Sequence, residues 1–182
     1  MKHLLRFVVL AGLCALAGTG CRLVSGQIFA NYNLPNPFTL NSHGFDHMTV
    51  DLNTIREYAQ HKNQIDRIED LALVGKFVNV GGEAGSVEVF ITPGVTNLPD
   101  ANAVRTSATK LWGPAAMPSG AGRIREITWD ESAQLFTAAG KQILLNEAKG
   151  DGVFEVYALG TVGQYQIEVR QGALILVAGA HR

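Results

Sequence analysis

Beyond Cys21 this 182-residue chain has no cysteine: its only two, Cys14 and Cys21, fall within the first 21 positions. That absence excludes a disulfide, a thiolate nucleophile and a cysteine-built metal centre from the rest of the chain. Basic clusters are missing as well. Charged residues make up 17% of the sequence and no run of Lys and Arg occurs. The chain therefore lacks both the electrostatic footprint of a nucleic-acid binder and a polybasic membrane patch. No apolar run reaches the roughly 20 residues needed to cross a bilayer as a helix. Reaction motifs are equally scarce: there is no G-x-S-x-G elbow, P-loop, H-E-x-x-H, paired C-x-x-C or G-x-G-x-x-G turn. Nor is there an internal repeat of solenoid or propeller period.

What is present begins with an export signal. Lys2 and Arg6 supply a positive start, and Phe7 to Ala17 is an apolar run of 11 residues, the length of a secretory core rather than of a membrane span. Gly18-Thr19-Gly20-Cys21 follows and resembles the lipobox of bacterial lipoproteins, in which small residues precede a Cys that becomes the lipidated first residue. The resemblance implies acyl chains on Cys21 as the attachment to a membrane. Arg22 stands where enteric lipoproteins retained at the inner membrane carry Asp, so the same resemblance implies the outer membrane of the cell envelope. Ala15-Leu16-Ala17 is also an A-x-A cleavage site, and a soluble secreted chain starting at Gly18 is the rival reading.

Without residues 1–20, thirteen basic side chains face sixteen acidic ones, a net charge of −3. Attachment would then depend on the acyl chains, each buried CH₂ contributing about 0.8 kcal/mol. Residues 21–44 read as the lipid-attachment Cys and a flexible tether, because Asn31, Asn33, Pro35, Asn36, Pro37, Asn41, Ser42 and Gly44 are turn and breaker residues. As a random coil this leash would reach about 25–30 Å. The domain proper is expected over residues 45–182, long enough to bury a core without staples.

Within that domain, Gly152 to Gly179 is the strongest pattern. Val153–Leu159 and Tyr165–Arg170 alternate with period 2, and Ala173–Ala178 is apolar on both faces and should lie centrally. Gln171-Gly172 reads as a hairpin turn between the last two runs. Met48, Val50 and Leu52 mark a first strand, and Ile68 to Val80 a long one that is bulged or covered twice. The Gly81–Gly85 loop reads as a hairpin into Val87, Val89 and Ile91. Val104–Trp112 and Ile124–Thr128 are further strand candidates, with a loop from Gly113-Pro114 to Gly122 between them and room for a turn of helix after Pro99.

Thr54-Ile-Arg-Glu57 and Thr128-Trp-Asp-Glu131 are capping boxes, which predict helices near 54–62 and 130–147. Gly140 interrupts the second at a cost of about 1 kcal/mol relative to Ala. The architecture these elements imply is mainly β: an Ig-like antiparallel β-sandwich of about seven strands with two short accessory helices. Its order of elements is similar to that of many bacterial envelope lipoproteins.

Candidate functional residues are few. His43, Asp46 and His47 lie within five positions and carry ligand types that Zn²⁺ accepts. The strand-like continuation at Met48 favours a polar turn over a metal site, so no metal or other cofactor is expected. Trp112, Trp129, Tyr157 and Tyr165 could form a sugar or peptide platform, although buried anchoring is what such residues usually do. Glu69-Asp70 and Asp130-Glu131 are paired acids whose side chains diverge or sit at a helix start. The reading is an exported envelope protein, anchored through Cys21 and acting as a non-catalytic interaction or structural module for a protein partner. The alternative is a sugar- or metal-binding protein of the envelope.

Overall fold

The computed structural model describes residues 26–34, 38–41, 45–160 and 166–180. Two antiparallel sheets face each other across one core, the layered sandwich that the alternating patterns imply. Its strands are β1 (Gln27–Asn33), β2 (Phe38–Asn41), β3 (Phe45–Asp51), β4 (Ile65–Asn79), β5 (Gly85–Pro93), β6 (Thr109–Met117), β7 (Arg123–Ile127), β8 (Val153–Gly160) and β9 (Gln166–Ala180). The helices are α1 (Arg56–His61), α2 (Ala101–Ser107), α3 (Trp129–Leu135) and α4 (Ala138–Lys149). Sheet A has the order β1-β9-β4-β7, with β2 also on β9; sheet B has the order β3-β8-β5-β6.

β9 organises sheet A. Along one side it pairs first with β2, from Asn41↔Gln166 to Phe38↔Val169, and then with β1, from Asn33↔Ala173 to Gln27↔Gly179. Along the other it pairs with β4. The expected tether is therefore corrected: residues 27–33 and 38–41 are strands of the sandwich. Ile28 and Ala30 face the core and are buried, while Gln27, Phe29 and Asn31 are exposed. The breaker residues concentrate between these short strands rather than dissolving them, because β9 supplies the hydrogen bonds that the segment cannot make internally.

Gln171-Gly172 is not a hairpin turn. β9 runs through it, and between the pairs Val74↔Ala173 and Lys76↔Arg170 two residues of β9 oppose one of β4, a β-bulge. Gln171 takes a positive φ of 53°, and a Cβ on Gly75 would lie 3.0 Å from the Gly172 Cα. The left-handed conformation read as a turn serves the bulge instead. The Gly81–Gly85 loop likewise does not close a hairpin. β4 pairs with β7 and β9, β5 with β6 and β8, and the loop carries the chain from one sheet to the other. The run Ala173–Ala178 is central and buried on both faces except at Ile175, as its composition predicts.

Helix boundaries also move. Residues 101–107 are helix α2, capped by the Asp100 side chain on the Ala103 N–H, and the strand expected from Val104 begins at Thr109 and runs to Met117. The Thr54 box does not form: the Thr54 hydroxyl donates back to the Asp51 carbonyl at 2.7 Å, and α1 starts at Arg56. At Thr128 the cap is present, with its side chain accepting the Glu131 N–H. The helix expected over 130–147 breaks in two because Phe136 bridges to Trp112 and the Thr137 N–H donates to the Leu111 carbonyl at 3.0 Å. Thr137 then caps α4. α4 buries Gly140, Leu144 and Ala148, one stripe at i, i+4 and i+8.

Trp112 is fully buried between the sheets and donates through Nε1 to Ser132 Oγ at 3.0 Å. That same oxygen accepts the Leu73 N–H at 2.7 Å, which joins α3 to a strand of each sheet. Sheet B is covered on its outer face too, where Phe90, Val104, Tyr157 and Leu159 form a second small core beneath α2.

Candidate functional site

Strand β3 separates the polar cluster marked in the sequence. Successive strand residues point to opposite faces, and the register Asp46↔Ala158, His47↔Tyr157 sends Asp46 to the inner face of sheet B and His47 to the outer face. His43 lies outside the described residues. Asp46 Oδ1 accepts the His47 backbone N–H at 2.9 Å, but the two side chains do not converge on a common point. Among the described residues no three His, Cys, Asp or Glu side chains group so as to hold a metal ion.

His47 instead meets Glu155, with Nδ1 and Oε1 2.6 Å apart. Its ring stacks on Tyr157 at a centroid separation of 5.8 Å. Glu155 is 0% exposed, and its Oε2 accepts from the Tyr157 hydroxyl at 2.7 Å, the Asn97 N–H at 2.7 Å and the Thr96 N–H at 3.0 Å. Burial alone would push the Glu155 carboxyl up, but the hydrogen bonds from Tyr157, Asn97, His47 and Thr96 outweigh it and hold the group below the usual carboxylate range. Tyr157 shifts upward, chiefly through burial and then through its bond to Glu155.

A second carboxylate on this face behaves alike. Glu88 lies 2.5 Å from Lys110 Nζ and 3.0 Å from Arg105 Nη1. Its burial penalty is outweighed by those two cations, so it too sits below the ordinary range. Chemically, the pair of sites ties the loop over residues 94–98 and helix α2 to sheet B, and fixes the orientation of an imidazole whose side chain is 43% exposed.

The inner face of sheet B carries a different feature. Here the sandwich is incompletely filled: an apolar cavity of about 60 Å³ lies between the sheets, with Met48, Val89, Val156 and Ala158 on one side and Phe77 and Leu174 on the other. Tyr32 of β1 and Asp46 of β3 line it as well. The Tyr32 hydroxyl donates to the Thr49 carbonyl of β3 at 3.4 Å.

The remaining candidates resolve into structural roles. Trp112 and Tyr157 are fully buried and stack on Phe77 and His47 rather than facing solvent, while the Trp129 Nε1 donates to Asp70 Oδ2 at 2.6 Å. Tyr165 and Cys21 lie outside the described residues. Glu69 pairs with Arg67, and Glu131 with Arg125. Sequence reasoning missed Glu155 and Glu88 as central features, since each reads as an ordinary polar position in an alternating strand. It missed the cavity altogether, because alternation reports which face a residue occupies and not whether the facing sheet reaches it.

No protein-family model matches this chain, and no curated protein does. Among solved structures it is similar to a chain of the T13 IBDV viral particle, an icosahedral virus, at 11% identity and a TM-score of 0.37. The match covers 85% of this chain and 31% of that one. A likeness at this level assigns neither a family nor a function.

Proposed function

We propose that this is an exported protein of the cell envelope, anchored by acyl chains on Cys21, whose sandwich is a non-catalytic module for binding a partner. The observation that carries the reading is the order of the first residues: a basic start, an apolar run of 11 residues, then Gly18-Thr19-Gly20-Cys21. It is supported by the absence of any later cysteine, which leaves Cys21 as a lone thiol in an oxidising compartment unless it is modified.

The strand pairing changes what such an anchor would do. β1 begins at Gln27, six residues after Cys21, and six residues span at most about 20 Å even when fully extended. The sandwich would sit against the headgroups, its β1 edge foremost, with the exposed Phe29 on that strand. Arg22 after the Cys makes the outer membrane the destination. The net charge of −3 argues against nucleic acid as a partner and leaves an envelope protein or a small molecule.

Fractionation with labelled palmitate tests the anchor. Wild type should partition into detergent and take up label, and Cys21→Ala should be released or remain unprocessed. A soluble wild type that starts at Gly18 and carries no acyl mass would overturn anchoring and leave only export. Small-ligand binding is the second reading, and the opening between the sheets is the observation in its favour.

A further inference from the structure

Among the described residues, no helix covers the outer face of sheet A. α1 packs on β1, α2 on β5, α3 on β4 and β6, and α4 on β4, β5, β6 and β8, none of them across β9. The strand register defines this face. Ile28 and Ala30 point into the core, so Phe29 and Asn31 point outward. Phe29 pairs with Val177 and Asn31 with Ile175; beyond β9 these meet Asp70 and Ala72, with Ala173 and Val74 in the next row. The centre is apolar. Ala72, Ala173 and Val177 form a floor that belongs to neither core, Ile175 and Val74 are half-buried, and Phe29 is 58% exposed. An exposed aromatic continuous with such a floor marks an interaction surface, as an isolated one would not.

We propose that this face rests on the lipid bilayer, with the Phe29 ring among the headgroups. The placement presupposes anchoring at Cys21 and states which side of the β1 edge the membrane takes. An acylated Cys21 lies within about 20 Å of Gln27, so lipid is in reach of β1 whatever path joins them. Contact through the free edge of β1 would also bring α1 to the surface, where its exposed Arg56, Glu57 and Gln60 would lose water without gaining partners.

The outer face of sheet A demands less desolvation. Its charged side chains are engaged already: Asp70 by the Trp129 Nε1–H and the Leu71 N–H, Glu69 by Arg67, Glu126 by Lys76 and Glu168 by Arg170. Another protein could cover an apolar face as well, but only lipid is brought beside this one by the chain itself. Orientation follows. Sheet B lies about 10 Å behind sheet A, so its outer face, with α2 and the partly exposed His47, turns away from the bilayer and toward partners.

The test uses the full chain, purified with its acyl chains and reconstituted in phosphatidylcholine vesicles. No cysteine follows Cys21, and a lipidated Cys21 has no free thiol, so a nitroxide attached at Asn31→Cys, or at Asn102→Cys on α2, reports from a single place. Accessibility to oxygen, which concentrates in lipid, is compared with accessibility to a water-soluble nickel chelate. The oxygen-to-nickel ratio should be several-fold higher at position 31 than at position 102. Phe29→Asp should bring the two ratios together while the melting temperature and sedimentation with vesicles hold. An acylated chain that sediments with the vesicles yet leaves position 31 as open to nickel as position 102 would overturn this orientation and leave anchoring intact. Shielding of position 31 from both reagents, the result of a second protein on the face, would do the same. A chain that carries no acyl mass and does not sediment would overturn anchoring and this placement together.

Discussion

The Glu155 carboxylate on β8 holds the His47 imidazole on β3 through a 2.6 Å contact between Oε1 and Nδ1, although 108 residues separate them. One end of the pair is completely buried and the other reaches solvent. The other oxygen of Glu155 gathers the Tyr157 hydroxyl and two backbone amides. A single side chain thus joins an edge strand, a central strand and the loop that covers them.

Acid should loosen this face first. Glu155 and Glu88 both have folded-state pKa values below the ordinary 4.5. Each therefore contributes stability that is present above the unfolded value and is lost as pH falls through the folded one. Urea unfolding from neutral pH downward should show a plateau and then a decline below about pH 4.5. Glu155→Gln should lower stability at neutral pH by roughly 1.5–3 kcal/mol, the worth of a hydrogen bond to a charged group, and flatten that decline. An acid limb identical to wild type would contradict this account.

Gly140→Ala should destabilise, against its helix propensity. A Cβ there would stand 2.5 Å from the Leu111 Cα and 2.7 Å from the Lys110 carbonyl oxygen, both backbone atoms that cannot rotate away. The gain of about 1 kcal/mol in propensity would be exceeded by an overpacking cost of about 1–3 kcal/mol, aggravated because the contact is with backbone. A rise in melting temperature on this substitution would show that α4 is free to lift off β6.

Ser132→Ala removes the oxygen shared by the Leu73 N–H and the Trp112 Nε1–H. The Trp112 indole keeps a second acceptor, the Ser132 carbonyl at 3.2 Å, so the main loss is a buried backbone amide left without its partner. The expected cost is about 1–3 kcal/mol, read as a shift in denaturation midpoint with the slope unchanged. A shift within a few tenths of a kcal/mol would mean that the amide finds another acceptor.

A chain beginning at Phe45 should fail to unfold cooperatively, whereas one beginning at Gly26 should do so. Deleting β1 and β2 strips β9 of all its partners on one side and removes Ile28 and Ala30 from the core. It leaves the edge of β9, with its apolar run Ala173–Ala178, open to other chains. Equal melting curves for the two chains would restore residues 27–41 to the status of a tether.

These differences mark where local pattern stops being sufficient. Period-2 alternation located β8 and the first part of β9 from the residues alone, since it records which way side chains face along a strand and needs no partner. The unbroken apolarity of Ala173 to Ala178 also placed β9 at the centre of a sheet before any pairing was known, because only a position covered on both faces accepts it. Partner choice is another matter. β4 and β5 carry the alternation of a hairpin and a glycine-rich loop to match, yet they belong to opposite sheets, because burying both inner faces against each other outweighs pairing the neighbours.

Gln171-Gly172 offers the same residues to a turn or to a bulge, and the presence of β4 and β1 on either side decides for the bulge. Asp46 and His47 were legible as polar neighbours at a strand start, and their divergence followed from that strand. The buried Glu155, the contact of Tyr32 with Thr49 and the space lined by Ala158 depend on segments 17 to 108 residues apart in the chain. Such contacts arise only once the two sheets have met, and nothing in the local sequence encodes how completely they close.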